Sequence, residues 1–463
     1  MSHSTRQSVL FEQTFRKPVQ VEFDAESQTS DGGLVLLGAA DGHLGLTEAL
    51  CAEITDPRQP GKVGHSMLDL VRQRVYALAQ GYPDGTDAAR LARDPGLRFA
   101  CERSIDGEDA LASQSTLSRF ENLITARDAV RMLRHLEAAS VAELRRRYRC
   151  PGRIVIDLDP SVDPTHGAQQ GSLFNGYYDS WCYLPMFGFL SVDGGDHHHL
   201  LFCARLRPGL SKEMRGTIPL LRRMVARLRE AFGARQPILV RLDSGFYSPR
   251  LLDVLEELRV QYVVGMPGNP KLAKWAESRG RLPTARARAR RSGHAERVFD
   301  ERPYRTRSWP HARRVLLKAE ALPYAGRTLK SNPRYVVTNL RQKPHKAFAL
   351  YYGRGDVENR IKELKCDLAI DRTSCSRFVA NQFRVILTSA AYLLLQELRW
   401  RLRRTPYARA QVGRLRTTLL KVSARVVESV RRIVFRLPRA YAFAEDFARA
   451  ACALGARRRQ PAT

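Results

Sequence analysis

The central part of the chain alternates strand and helix patterns in an order that few folds accommodate. Residues 153–159 form a β-branched apolar run, and 181–192 and 198–206 are apolar strands joined by a glycine turn. An amphipathic helix is predicted over 216–232, and another apolar strand over 237–243. The order strand, hairpin, helix, strand predicts an α/β core built on a mixed sheet.

The flanking segments have other patterns. Apolar residues recur at three- and four-residue spacing before the core, for example over 66–80 and 126–148, and helical patterns return from residue 356. The sequence thus predicts four regions, and the insertion divides the core into two segments. They are a helical N-terminal region (1–148), the α/β core (149–265 and 347–400), a basic strand-rich insertion (266–346) and a basic helical C-terminal region (401–463).

Positive charge is concentrated in two stretches. Lys and Arg number 77 against 47 Asp and Glu, which gives a net charge of +30. Residues 279–314 hold 12 basic and 3 acidic residues, and residues 399–463 hold 17 and 3. Arginine dominates both, and its guanidinium fork suits phosphate. The charge argues against an enzyme for small neutral substrates and favours contact with a nucleic-acid backbone. A solvated basic surface or an arginine-rich codon usage is the alternative.

The remaining composition indicates a cytoplasmic protein that does not enter a membrane. The best apolar run, 385–395, has 11 residues, about half of what a membrane span needs, and predicts a buried helix. Residues 1–16 lack the pattern of a signal peptide. Eight cysteines are scattered without a C-x2-C pair, which predicts reduced packing residues rather than a zinc site or disulfides.

Carboxylates close both apolar strands of the core. Asp157 and Asp159 stand two residues apart, so their side chains share one face of a strand, and Asp243 ends the later strand before a glycine turn. A charged group at the end of an apolar strand needs a partner, and a metal ion is one candidate. Each aspartate taken alone could equally cap the turn that follows it.

A further set of polar residues is spaced along a predicted helix. Tyr351, Arg354, Glu358 and Lys365 fit the pattern Y-x2-R-x3-E-x6-K without a gap. On an α-helix the last three lie close to one face, with the carboxylate between two cations. An exposed helix with salt bridges on its surface would show the same spacing.

This pattern resembles the signature of the DDE transposases that bacterial insertion sequences encode. The resemblance extends over nearly the whole chain. Its other segments are 113–122, 159–161 with 166–167 and 169–171, 241–246, 381–384 and 420–425.

The resemblance implies a ribonuclease-H-like catalytic core with a strand-rich insertion between the second aspartate and the glutamate. It implies that Asp159, Asp243 and Glu358 are the catalytic residues and hold two Mg²⁺ ions, for which Mn²⁺ can substitute. The reaction would be cleavage of DNA at the element ends and strand transfer into target DNA. Tyr351 and the two cations of the signature, Arg354 and Lys365, would grip the phosphates.

The partners and location follow from the same resemblance. Double-stranded DNA, both element ends and target, is the expected partner. The N-terminal region (1–148) is expected to bind it, and the C-terminal region (401–463) to supply DNA or dimer contacts. A homodimer is expected in the DNA complex, because two ends must be cut in one assembly. The expected location is the bacterial cytoplasm, in association with the nucleoid.

Several alternatives stay open. The family more often has Thr where Ser161 stands, so Asp157 and Asp163 are reserves for the first ligand. The histidines at 197–199 suggest a metal site, but neighbours on a strand face opposite ways and no acid lies at a ligand spacing, which favours a hairpin edge.

The insertion offers one more DNA contact. Arg305, Arg307 and Trp309 interleave an aromatic ring with cations, a combination that stacks an unpaired base and neutralises its phosphates, and core packing is an equal alternative for Trp309. The competing classes for the whole chain are a DNA-binding regulator or inactive copy without catalysis, and an RNA-processing nuclease.

Overall fold

The fold was obtained as a computed structural model. It describes residues 8–12, 16–22, 25–105, 107, 109–193, 198–212, 214–324 and 327–458. Residues 194–197, which include the predicted glycine turn and His197, lie outside this part, as does most of the segment examined for a signal peptide.

Helices dominate the N-terminal region, as predicted. Two of the longest begin at capping boxes, in which Ser66 pairs with Asp69 and Thr125 with Asp128, so that the first free N–H groups of each helix are satisfied. The elements of this region are β1 (Ser8–Phe11), β2 (Val19–Glu22), β3 (Gln28–Thr29), α1 (Leu34–Leu44), α2 (Leu46–Ala52), α3 (Met67–Gln80), α4 (Asp87–Leu91), α5 (Pro95–Ala100), α6 (Gln114–Leu123) and α7 (Ala126–Arg147).

The central region contains the predicted mixed sheet. Its elements are β4 (Ile154–Pro160), β5 (Asp163–Pro164), β6 (Leu173–Asn175), β7 (Ser180–Tyr183), β8 (Met186–Val192), β9 (Leu200–Arg205), α8 (Thr217–Phe232), β10 (Ile238–Leu242), α9 (Pro249–Glu257) and β11 (Gln261–Met266). The strands lie side by side in the order β9, β8, β4, β10, β11. The β9–β8 and β8–β4 pairs are antiparallel, and the β4–β10 and β10–β11 pairs are parallel.

The strand predicted over 181–192 is two strands in the structure. β7 ends at Tyr183 and β8 begins at Met186, with Leu184 and Pro185 between them. Proline has no N–H to donate to a ladder, which favours a break there. β7 instead joins β5 and β6 in a separate three-stranded sheet.

The insertion continues the central sheet instead of forming a sheet of its own. Its elements are α10 (Pro270–Glu277), α11 (Leu282–Ser292), β12 (Glu296–Tyr304), β13 (Arg313–Tyr324), β14 (Arg327–Ser331) and β15 (Arg334–Thr338). β15 pairs with β11, and β13, β12 and β14 follow beyond it. The central sheet and the insertion therefore share one layer of nine strands.

The last third of the chain is mainly helical up to about residue 420, and one further helix follows a strand hairpin. Its elements are α12 (Pro344–Tyr352), α13 (Gly355–Cys366), α14 (Phe378–Arg401), α15 (Val412–Leu415), β16 (Ala424–Ser429), β17 (Arg432–Arg436) and α16 (Ala444–Ala453). The prediction of a helical 401–463 is wrong for 424–436, where β16 and β17 form a hairpin that pairs with β3. Buried Ala424 and Val426 alternate with exposed Arg425 and Val427, which is the period of a strand.

The apolar run predicted to be a buried helix lies in α14. By length and composition alone, α14 could cross a membrane. The pair α1 and α2, which meet at a 60° bend, could do so as well if the two helices formed one span. However, 83% of the apolar window of α14 is buried inside the protein. Gln382 and Gln396 accept hydrogen bonds from the backbone N–H groups of Leu206 and Leu201 at 2.8 and 3.2 Å, so α14 also covers the free edge of β9.

Two smaller predictions can also be compared with the structure. All eight cysteines are free, although Cys150 and Cys366 are exposed and so are not packing residues. His198 and His199 are buried, and the His198 ring lies 5.1 Å from the Trp400 ring. The packing of His198 supports a structural role for this histidine.

Candidate active site

Three elements bring the predicted acids to one end of the sheet. Asp159 is the second-last residue of strand β4, and Asp243 directly follows β10. These strands are parallel neighbours, so their carboxyl ends meet at the same edge, the usual place for a site in such a sheet. Glu358 lies in the first turn of α13.

Arg354 links two of the acids. Its guanidinium donates a hydrogen bond of 2.9 Å to Asp159 Oδ1 and lies 3.7 Å from Glu358 Oε1. Arg354 is the residue just before α13, one turn ahead of Glu358, so the i, i+4 spacing of the signature positions this contact. The Glu358 side chain is 65% exposed, whereas Asp159 and Arg354 are mostly buried.

The charges of the site act on one another. The pKa of Asp159 is raised to about 7. Burial is the largest cause, Arg354 opposes it, and Asp243 and Glu358 add to it. Burial also disfavours the charge on Arg354, but Asp159, Asp243 and Glu358 together hold its pKa above the usual value. All three acids are thus close enough to influence one another and the same guanidinium.

Tyr351 contacts the site from α12 through a gap at Gly265 of β11. A Cβ atom added at Gly265 would lie 2.8 Å from the Tyr351 hydroxyl oxygen and 2.6 Å from the Ser244 N atom. The absence of a side chain at this position lets the Tyr351 hydroxyl approach the turn that carries Asp243. Burial raises the pKa of Tyr351, so its hydroxyl keeps its proton at neutral pH.

Asp157, the first reserve ligand, is engaged elsewhere. Its carboxylate is fully buried and accepts two hydrogen bonds from Arg241 of β10, at 2.7 and 2.6 Å. Arg241 also donates to the Leu350 carbonyl oxygen at 3.0 Å, which ties β4, β10 and α12 together. Nothing local in the sequence distinguished this pair, since Asp157 and Arg241 are 84 residues apart.

Asp163 and Lys365 hold the segment that follows Asp159. Lys365 Nζ donates a 2.6 Å hydrogen bond to the Val162 carbonyl oxygen and lies 3.7 Å from Asp371. The buried Asp163 accepts a 2.9 Å hydrogen bond from the Thr373 hydroxyl, and burial raises its pKa to about 8. The raised pKa favours the protonated form of Asp163 at neutral pH, and Lys365 contacts backbone.

The fit of a metal ion rests on donor chemistry. Among the residues that the structure describes, no group of three or more His, Cys, Asp or Glu side chains is close enough to hold a metal ion as it stands. Positive charge between Asp159 and Glu358 comes from Arg354. The oxygen donors of Asp159, Asp243 and Glu358 are nevertheless the ligand type that Mg²⁺ prefers, so the residues fit such an ion chemically.

The predicted contacts of the insertion separate into two groups. Trp309 is only 1% exposed and packs near Tyr304, Tyr247 and Arg313, which favours core packing over stacking on a base. Arg305 and Arg307 are exposed, as a role in binding phosphate requires.

Much of the arginine in the insertion is paired with acids. Arg281 pairs with Asp300, Arg286 with Glu277, Arg297 with Glu320, Arg313 with Glu256 and Arg314 with Glu301. Formal charge therefore overstates the cationic surface of this region. Exposed arginines remain on α11, at Arg288, Arg290 and Arg291.

The fold is a mixed α/β sheet, and its acidic site lies at the carboxyl ends of two parallel strands. These two features define the class of protein. Comparison with protein families narrows this class. The family described as transposase DDE domain group 1 matches residues 11–458, nearly the whole chain, and the chain belongs to this family. Members of this family are transposition enzymes that act on DNA and generally use divalent metal ions. No curated protein matches the sequence.

Proposed function

We propose that the protein is a transposase that cleaves DNA phosphodiester bonds at the ends of its element and joins the freed ends to target DNA. The observation that carries this proposal is the grouping of Asp159, Asp243 and Glu358 around Arg354. These acids come from three distant parts of the chain and repel one another, an arrangement that a protein that only binds DNA does not need.

The strand order supports a ribonuclease-H-like core. Three antiparallel strands, β9, β8 and β4, are followed in space by β10 and β11, both parallel to β4. Asp159 and Asp243 lie at the carboxyl ends of the two strands at the centre of this order. Glu358 comes from a helix that follows the insertion, as the proposed core requires.

Asp159, Asp243 and Glu358 would hold two Mg²⁺ ions, for which Mn²⁺ can substitute. When bound, such a pair activates the attacking oxygen and stabilises the leaving oxygen of a phosphodiester. Water as the nucleophile gives cleavage, and a DNA 3′-hydroxyl gives strand transfer.

The other signature residues would position the DNA. Arg354 is placed to neutralise a phosphate beside the acids, and the protonated Tyr351 hydroxyl to donate a hydrogen bond to one. Lys365 would position the segment after Asp159 through Val162, in addition to attracting phosphate. Arg305 and Arg307 would contact DNA farther from the cut, and Trp309 would support them from the core.

We extend the proposal to the assembly and location. The protein would act as a homodimer on two element ends in the bacterial cytoplasm, associated with the nucleoid. Exposed arginines near the C-terminus, such as Arg403, Arg404, Arg431 and Arg439, would supply further DNA or dimer contacts.

A cleavage assay tests the proposal. Supercoiled plasmid that carries the coding sequence with its flanking DNA is incubated with Mg²⁺ and wild type, Asp159→Asn, Asp243→Asn or Glu358→Gln. Wild type should nick or cut the flanks, and each substitution should lower the rate by at least about 100-fold, the order of a lost catalytic group. Asp356→Asn, on the same exposed turn of α13 as Glu358, is the matched control and should keep most of the activity.

Two results would contradict the proposal. Cleavage that survives all three substitutions would mean that these acids do not form the active site. Cleavage of RNA but not of DNA would favour the processing nuclease.

A further inference from the structure

The small sheet beside the active site carries a hairpin with exposed aromatic rings. We define the aromatic hairpin as residues 173–183, which contain β6, β7 and the turn between them. Phe174 and Trp181 are opposite each other in the ladder, with ring centroids 6.2 Å apart, and Tyr177 and Tyr178 lie in the turn. Tyr177 is 85% exposed and Trp181 57%. Such a concentration of exposed rings marks a binding surface.

The hairpin lies at the same end of the sheet as the proposed catalytic acids. β5 directly follows β4 in the chain and pairs with β7, and the Ser161 N–H bonds the Pro185 carbonyl oxygen. Phe187 of β8 is the ladder partner of Asp159, and Trp181 precedes Phe187 by six residues. Six residues span at most roughly 20 Å, the rise of about six nucleotides of a DNA strand.

A loop with two exposed cations contacts the hairpin. The loop of residues 206–212 and 214–216 contacts the hairpin, where Asn175 Nδ2 donates a 2.8 Å hydrogen bond to the Gly209 carbonyl oxygen. Lys212 and Arg215 of that loop are exposed, and Asp179 is the only acid within 173–183. Flat rings beside cations suit nucleobases with their phosphates.

We infer that the aromatic hairpin stacks on nucleobases that unpair within about six nucleotides of the cleaved bond. The inference rests on the proposed function, because that function places DNA at this end of the sheet. The chain carries a net charge of +30 and the adjoining loop exposes Lys212 and Arg215, so charge complementarity favours DNA over a second copy of the chain as the occupant.

Binding without divalent metal tests the inference. The probes are a short fluorescent duplex with a central unpaired bubble of about six nucleotides and the fully paired duplex of the same strand. Fluorescence anisotropy should show that wild type prefers the bubble. Trp181→Ala should weaken binding of the bubble by roughly 5- to 150-fold, the range for loss of one stacked base, and leave binding of the paired duplex within about twofold.

Two further variants act as controls. Trp181→Phe keeps an aromatic face and should retain most of the preference for the bubble. Phe443→Ala removes an exposed ring far along the chain from the hairpin and should change neither affinity.

The outcomes separate the inference from the proposed function. Wild type that binds neither probe would overturn both. Wild type that binds both probes, with a preference for the bubble that survives Trp181→Ala, would overturn the inference alone. The inference would also fail if Trp181→Ala dissociated a dimer in sedimentation velocity but left the preference intact, because the hairpin would then bind a second copy.

Discussion

Arg354 donates a hydrogen bond of 2.9 Å to Asp159 and lowers the pKa of that carboxylate. The pair has a cost, since burial disfavours the charge on both groups. It also has a benefit, because the guanidinium lowers the pKa of an acid that its two acidic neighbours raise. A ligand for a divalent ion must be deprotonated, so Arg354 helps to keep Asp159 competent near neutral pH.

Removal of Arg354 should therefore shift metal binding to higher pH. Because Arg354 lowers the pKa of Asp159, Arg354→Ala should raise the pH at which Mn²⁺ binding reaches half of its maximum relative to wild type. Arg354→Lys keeps a charge and should shift it less. Titration calorimetry with Mn²⁺ at a series of pH values measures the midpoint. An unchanged or lowered midpoint in Arg354→Ala would show that the guanidinium does not control this acid.

Asp157 and Asp159 should respond differently to substitution, although they are two residues apart. Asp157→Ala leaves Arg241 buried without its partner and should cost about 3–5 kcal/mol of the free energy of unfolding. Asp159→Asn should change that free energy by no more than about 1 kcal/mol, because Arg354 keeps its contact with Glu358. Urea denaturation measures both. Equal losses would mean that the two carboxylates share one structural role.

This contrast shows where the sequence was informative. The β-branched apolar run at 153–159 predicted the strand, and the two-residue period of a strand predicted the shared face of its two aspartates, because both are local properties. Which aspartate pairs with Arg241 depends on the register between β4 and β10, which local pattern does not contain. The break at Pro185 was visible as a proline but was not used. The period of two in β16 spans only six residues of an arginine-rich segment, so it is a weak signal for a strand.

In the candidate site, too, local spacing could be predicted from the sequence, whereas burial could not. The signature predicted that Arg354 and Glu358 lie one turn apart, and the structure agrees, although Arg354 precedes α13 and Tyr351 belongs to α12. The burial of Trp309 could not be predicted from the segment Tyr304 to Trp309. Rings and cations would be interleaved there whether the tryptophan was buried or exposed. The exposed rings of 173–183 were present in the sequence and were not singled out, because isolated aromatics are more often core residues.

Gly265 should be essential for the position of Tyr351. Gly265→Ala would place a Cβ atom 2.8 Å from the Tyr351 hydroxyl oxygen and 2.6 Å from the Ser244 N atom, so one of them must move. We expect the cleavage rate to fall by about tenfold or more while the protein stays folded. Gly268→Ala is the matched control, since its Cβ would meet Tyr335 at an ordinary 3.7 Å. Equal activity of the two variants would remove Tyr351 from the proposed site.

Substitutions in the insertion should affect either the stability of the protein or its binding of DNA. Trp309→Ala empties a buried site and should cost about 3–5 kcal/mol of the free energy of unfolding. Arg307→Ala should leave stability within about 0.5 kcal/mol and lower the slope of log affinity for DNA against log salt by about one. Thermal denaturation and anisotropy at several salt concentrations measure the two effects. A stable Trp309→Ala variant would mean that the ring is not part of the core.

Asp163 should make the protein less stable as pH rises. Burial raises its pKa from 3.8 to about 8, so the folded state keeps a proton that the unfolded state releases between those values. In that window the free energy of unfolding should fall by up to about 1.4 kcal/mol per pH unit because of this group. Asp163→Asn does not titrate and should remove this part of the slope. The free energy of unfolding of the variant relative to that of wild type should therefore rise from about pH 5 to about pH 8 and then level off. Urea denaturation across this range measures it, and parallel slopes for the two proteins would show that Asp163 is already ionised in the folded state.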